Sequence, residues 1–226
     1  MSSERVPLIA EKIKQQIRDI PKELVTELAL DNCDASTFDE LTDEFKKLEI
    51  ISLINCQITS LEKFPVLPNL KIIDLSSNNI STGMEYLSKC QELAIINISD
   101  NPIGDFNELK PLNELKNLSK LIVIDSELTN VPDYADKIFE VLPNLTYVDH
   151  LDRDGKADPV VMELAGGEDE GDGDGMTLDD FLELAGEHGQ NDEAEDECCG
   201  EKSSSCGTKR KNDNDKDEDV KKRRSD

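Results

Sequence analysis

The sequence predicts an α/β solenoid, a curved stack of short parallel strands with helical turns on its outer side. Three observations predict it. An eleven-residue apolar pattern recurs five times between Val25 and Leu128. The repeats start at Val25, Leu48, Leu70, Leu93 and Leu118, so successive starts lie 23, 22, 23 and 25 residues apart. Each unit also carries Cys, Asn or Ser at one late position, where a chain turning away from a strand needs a side chain to satisfy its backbone.

The third unit, LKIIDLSSNNI from Leu70 to Ile80, fits the leucine-rich repeat template L-x-x-L-x-L-x-x-N/C-x-L at every position. Val25, Leu28, Leu30, Cys33 and Ala35 form the first unit, and Leu48, Ile51, Leu53, Cys56 and Ile58 the second. Leu93, Ile96, Ile98, Asn101 and Ile103 form the fourth, and Leu118, Leu121, Val123, Ser126 and Leu128 the fifth. A sixth start at Leu145 comes 27 residues later and fades. Side chains alternate along each short strand, so the template residues point inward and the strands line a concave face.

The remaining elements follow in chain order. Ile9, Ile13 and Ile17 recur at helical spacing within residues 1–23 and predict an amphipathic capping helix. Residues 24–158 form the repeat domain. Its connectors carry Phe38, Leu41 and Phe45; Met84 and Leu87; Phe106, Leu109, Leu112 and Leu115; and Ile138, Phe139 and Leu142, at spacings that predict helical turns on the convex side. Leu142, Leu145, Tyr147, Val148 and Leu151 predict a closing half-repeat, with the fold ending near Asp158.

The composition then changes. Residues 168–201 hold 15 Asp or Glu and no Lys or Arg. Such a segment buries too little apolar surface to offset its chain entropy, which predicts an acidic disordered tail over 159–208. The net charge of the whole chain is −26, and residues 1–151, with 26 acids and 14 Lys or Arg, net −12. A chain this acidic is repelled by nucleic-acid backbones and anionic lipid and attracts basic proteins. No apolar run approaches a membrane span and no signal-peptide stretch opens the chain. All six cysteines are read as free thiols of a reducing compartment.

Four candidate sites stand out. The outward columns of the concave face align Glu27, Ile50, Ile72, Ile95 and Lys120 in one row and Ala29, Ser52, Asp74, Asn97 and Ile122 in the next. A third row reads Asp31, Ile54, Ser76, Ser99 and Ile124. An isoleucine ladder directed at solvent either stabilises the sheet by cross-strand packing or makes a partner-binding groove for a basic, partly apolar peptide. In that groove Ile50, Ile54, Ile72, Ile95, Ile122 and Ile124 supply the apolar surface, and Asp31, Asp74 and Asn97 are polar anchors.

The second site is a basic segment at 209–226. Lys209 and Arg210, ten residues, then Lys221, Lys222, Arg223 and Arg224 have the spacing of a bipartite signal for an import receptor. The third is a short tail helix over 176–186, with Met176, Leu178, Phe181 and Leu182 on one side and Thr177 as its N-cap. It folds on a partner or docks back on the domain. A calcium-loop reading of the preceding EGDGDG fails because Phe181 stands where a bidentate Glu is required. The fourth, the cysteines at 198, 199 and 206, lacks metal-ligand spacing. No phosphate-binding loop or nucleophile motif is present, so the chain is expected to act without catalysis, cofactor or metal, and as a monomer.

The segments LALDNC (28–33), LTDEFKKLEIISLINCQITS (41–60), LKIIDLSSNNIS (70–81) and LTNVPDYADKIFEVLPNLTYVDHLDRD (128–154) resemble the acidic leucine-rich nuclear phosphoprotein 32 family. The resemblance covers residues 24–156, and the acidic tail ending in Lys209–Lys211 extends it. It implies a nuclear protein that shuttles to the cytoplasm, binds histones and masks them from acetyltransferases. It also implies inhibition of protein phosphatase 2A and, through protein partners, a role as a ribonucleoprotein or RNA-export adaptor. One branch of the family holds a histone dimer with a tail helix, for which MTLDDFLELAG is the corresponding candidate. Two departures are visible. The tail is short and interrupted by Gly, Ser and Cys, and His150 replaces a family Gly whose φ, if positive, would strain a histidine.

Overall fold

The computed structural model describes residues 6–36 and 38–159. The tail-helix residues Met176, Leu178, Phe181 and Leu182, the acidic tail and the two basic clusters lie outside the described residues.

Six short strands form one parallel sheet in sequence order: β1 (Glu27–Ala29), β2 (Ile50–Ser52), β3 (Ile72–Asp74), β4 (Ile95–Asn97), β5 (Lys120–Ile122) and β6 (Tyr147–Val148). Their register is the one the columns predict: Glu27, Ile50, Ile72, Ile95, Lys120 and Tyr147 stand side by side. Leu28, Ile51, Ile73, Ile96, Leu121 and Val148 form the next row and point into the core. A strand of three residues cannot bury an apolar face alone. Stacking at a constant period gives each unit its neighbours' side chains and one continuous core.

The convex connectors are short and mostly tighter than an α-helix. Met84–Leu87 (α2) and Tyr134–Val141 (α3) are α-helical, while Phe106–Glu114 and Glu127–Asn130 are 3-10 helices. The stretch from Phe38 to Leu48 is a series of turns that still buries Leu41 and Phe45. Their job is to place one or two apolar side chains over the core within few residues, and a 3-10 turn does that at least length.

The turns off β2, β3 and β4 are held by the repeated polar position, while Ser126 Oγ after β5 has no hydrogen-bond partner among the described residues. Asn78 Oδ1 accepts from the amides of Cys56 (2.9 Å) and Ile58 (3.1 Å), and its Nδ2 donates to the carbonyls of Leu53, Leu75 and Ser76. Asn101 repeats the pattern one unit on, taking the Ile80 amide and donating to Leu75, Ile98 and Ser99. In the second unit the Cys56 thiol donates toward the carbonyls of Leu30 and Ile54, both at 3.3 Å. Cys33, Cys56 and Cys90 are free and buried, and the contact with Cys56 together with burial holds the Cys33 thiol well above its ordinary range.

Both ends are closed. Helix α1 (Ile9–Ile17) buries Ile9 and Ile13 over the first unit. Gln16 pairs with both backbone groups of Ala29, donating to its carbonyl and accepting from its amide, which occupies part of the β1 edge. At the far end the chain folds back after β6, with Val148 bridging Leu151 and Leu151 bridging Ala157. Leu151, expected to close the core, is instead exposed, because it sits on this returning turn while Leu142, Leu145 and Val148 fill the interior.

One expectation is overturned. Ile50, Ile72, Ile95 and Ile122 do not face solvent: they are 6%, 1%, 5% and 2% exposed. Asp74 and Asn97 are buried with them. Of the six isoleucines, only Ile124 is exposed and Ile54 half-buried.

The asparagine bonds predict a large and local cost. Asn78→Ala is expected to lower unfolding free energy by about 3 kcal/mol, since five backbone groups, four of them in buried contacts, lose a partner at once. Asn79→Ala, at the exposed neighbouring position, should change it by less than about 0.5 kcal/mol. Urea titrations of both variants followed by circular dichroism check the contrast.

Candidate functional site: the concave face

Two rows of side chains rise from the sheet on the side away from the core. The first is apolar along its middle, Ile50–Ile72–Ile95, and ends on Lys120. None of these isoleucines belongs to the contiguous core, so they form a second buried layer on the opposite face of the sheet.

The polar members of the second row, Ser52, Asp74 and Asn97, are engaged with Asp31, Ser76 and Ser99 of the third. Asp31 Oδ1 accepts from the Ser52 hydroxyl and from the Ile54 amide (3.0 Å). Asp74 Oδ1 accepts from the Ser76 amide (2.8 Å), and Oδ2 from Asn97 Nδ2 (3.0 Å). Asn97 Oδ1 in turn accepts from the amide and hydroxyl of Ser99. Burial pushes the Asp74 carboxyl above its ordinary range, against the bonds from Ser76 and Asn97 that pull it down. These side chains hold one another and the backbone, so Asp74 and Asn97 are internal ties in this structure and not open anchors.

The end of the first row carries a feature that its place among isoleucines does not itself explain. Lys120 Nζ is ion-paired with Asp158, and both side chains are buried. The ammonium also lies 5.5 Å from the centroid of Tyr147. A lysine aligned with three isoleucines was itself the signal, because a buried cation requires an acid. The acid comes from the last turn of the described chain, where the Asp158 amide donates to the His150 carbonyl (2.8 Å).

That turn also fixes the cap. Asp149 Oδ1 accepts from the Val123 amide and Oδ2 from the Tyr134 hydroxyl (2.8 Å), a bond that helps push the Tyr134 phenol up to about 12 after burial itself. Asp149 and His150 both take positive φ, 46° and 68°. The His150 position is thus left-handed, as a glycine there would be, and the histidine adopts it at a cost of about 1 kcal/mol. Its Nδ1 has no hydrogen-bond partner among the described residues, and burial, then nearby Lys120, lower its pKa.

A groove beside the N-terminal cap is lined by Gln16, Ile17, Ile20, Leu24 and Glu27, with Ile20 and Leu24 exposed. Among the described residues no cluster of His, Cys, Asp and Glu is arranged to hold a metal ion, and no helix is long and apolar enough to cross a membrane.

Residues 5–157 match a family model described as a leucine-rich repeat. Two curated relatives, from Drosophila melanogaster and Drosophila pseudoobscura pseudoobscura, are 47% and 45% identical over 128 residues. Both are called acidic leucine-rich nuclear phosphoprotein 32 family member A, the family whose resemblance the repeat segments carry. Each alignment covers 57% of this chain and 49% of the relative, so the chain spans about half the length of the curated relatives it matches. A solved structure, the Drosophila melanogaster SNF/U2A' complex, is similar in fold at 23% identity and a TM-score of 0.44, over 56% of this chain and 74% of that one.

His150 provides a signed test of the cap. Its folded pKa lies below its unfolded value, so the unfolded state binds more protons once pH falls below about 6.5, and stability is lost there. His150→Gly removes both the titration and the strained φ. The variant should be more stable by about 1 kcal/mol at neutral pH, and its advantage should widen as pH falls from about 7.5 to about 5.5. Paired thermal melts across that range read the difference.

Proposed function

The chain belongs to the leucine-rich repeat family, and from that premise we propose that it is a non-enzymatic nuclear binding protein that holds basic partners, histones foremost. The observation that carries this reading is the distribution of charge. The net charge is −26, the segment 168–201 has 15 acids and no base, and residues 1–151 net −12 on their own. Two anionic units in series suit a partner rich in Lys and Arg, which each can neutralise through many weak pairs that salt screens. The name of the Drosophila relatives, an acidic nuclear phosphoprotein, supports the nuclear setting and the polarity of the partner. The paired clusters Lys209–Arg210 and Lys221–Arg224 support passage through an import receptor.

A repeat scaffold of this kind serves protein–protein contact, and the domain contributes the shaped part of the interface. In the free chain that contact begins at the rim of the concave face, where Ile124 is exposed and Ile54 half-buried beside Asp31. The inner isoleucines are buried in the free chain and lie outside that rim. Acidic side chains around a small apolar rim favour a basic segment with an occasional large apolar residue.

Binding of the full chain to core histone dimers, measured at low and at moderate salt, checks this reading. Affinity should fall steeply with salt, and removing residues 168–201 should weaken it at least about tenfold at low salt. Unchanged binding after that deletion overturns the tail mechanism. Inhibition of protein phosphatase 2A by residues 1–158 alone, with no histone binding by the full chain, would replace the reading with an enzyme-regulator role. Capture of a ribonucleoprotein by the same fragment would point instead to an adaptor role.

A further inference from the structure

The free edge of β1 is closed by the N-terminal cap at two rungs and left open at a third. Thr26 and Leu30 direct their backbone groups at β2: the Ile50 amide donates to the Thr26 carbonyl (3.1 Å), and the Leu30 amide donates to the Ser52 carbonyl (2.8 Å). Backbone groups alternate in direction along an extended chain, so those of Glu27, Ala29 and Asp31 point away from the sheet. Lys12 Nζ donates to the Asp31 carbonyl. One helical turn on, Gln16 answers both groups of Ala29, accepting from its amide at 3.0 Å. The next position at that spacing is Ile20, which has no hydrogen-bonding side chain and lies beyond the end of α1 at Ile17. The cap therefore leaves the amide and carbonyl of Glu27 unanswered.

The same place is apolar. Beside Glu27 lies a groove of about 380 Å³, lined by Ile17, Ile20, Leu24 and Val25. It is near the lower limit of about 300 Å³ for a ligand pocket, so it takes a side chain or two. Ile20 and Leu24 are 52% and 55% exposed, more than any other large apolar side chain among the described residues. An open strand edge beside apolar surface is a template for one more extended segment.

Charge selects the occupant. The segment Arg18–Glu27, which frames the groove, carries Asp19, Glu23 and Glu27, and none of these three is ion-paired among the described residues. Lys22 is held instead by Glu40 and Glu44, at 3.4 and 3.0 Å, which leaves Arg18 as the one other cation of the segment. A second copy of the chain, paired edge to edge about a two-fold axis, would bring the same carboxylates against one another. A basic peptide meets attraction there.

We propose that the β1 edge is a docking site for an extended peptide of a partner protein, with a large apolar residue in the groove and Lys or Arg on either side of it. Its residue opposite Glu27, running antiparallel, exchanges both backbone bonds at once, as the Gln16 amide does for Ala29. Gln16 blocks continuation past Ala29, and the Val25 amide is already given to the Lys22 carbonyl (3.3 Å). Pairing is thus confined to one rung, and the apolar insertion and the flanking charges supply the rest of the recognition. The site lies on the N-terminal cap, apart from the acidic tail, and stands whether or not histones are the partner.

The test titrates the isotope-labelled full chain with the acetylated and amidated peptide KVTLVR, read at the Glu27 amide and the Ile20 and Leu24 methyls. All three should move together, while core methyls such as Ile13 stay in place. The same peptide methylated at its Thr and Leu backbone nitrogens, and the acidic counterpart EVTLVE, should each bind at least about tenfold more weakly. Ile20→Ser/Leu24→Ser, at exposed positions, should weaken binding by a similar factor, and Glu23→Lys/Glu27→Lys should turn the preference toward EVTLVE. Movement of tail resonances alone, with Glu27, Ile20 and Leu24 still, overturns the proposal. So does equal binding of the methylated peptide, or contact at Glu27 between differently labelled copies of the free protein. No histone is present, so failure here leaves the histone reading to its own measurement.

Discussion

The fold depends on what becomes of the backbone where each strand ends. The chain turns off the strand directly above the core, leaving amides and carbonyls where water cannot reach. An unpartnered buried group costs about 1–3 kcal/mol, and there is such a turn in every repeat. Asn78 and Asn101 each answer several groups from two consecutive units at once, so the same side chain that makes the turn tolerable also ties one repeat to the next. Strand length, period and register follow from this tie. A repeat that slipped by one residue would present its asparagine to the wrong carbonyls and its core leucines to the wrong face.

Because that constraint is local and periodic, the sequence displayed it. Every cross-strand pair from Glu27–Ile50 to Asn97–Ile122 could be read from the template alone. The positive φ at His150 was not in the repeat at all; only the family resemblance, which puts a glycine there, pointed to it. What could not be read was the state of the concave face. Period-two alternation says which face of a sheet a side chain occupies, and it assigned Ile72 to the face away from the core correctly. It carries no information on whether a distant segment lies over that face. Connector type was hidden for a different reason: spacings of three and four fit a 3-10 turn and an α-turn alike, and Phe106–Glu114 took the former.

The two caps solve unequal problems. At the N-terminal end the open edge of β1 exposes backbone, and Gln16 answers it with an amide that imitates a neighbouring strand. At the C-terminal end the difficulty is a charge. Lys120 occupies an apolar row and is neutralised only because the returning turn brings Asp158 to it. A buried ion pair of this sort adds little net stability but costs several kcal/mol to break on one side, so its main effect is to specify where the chain goes.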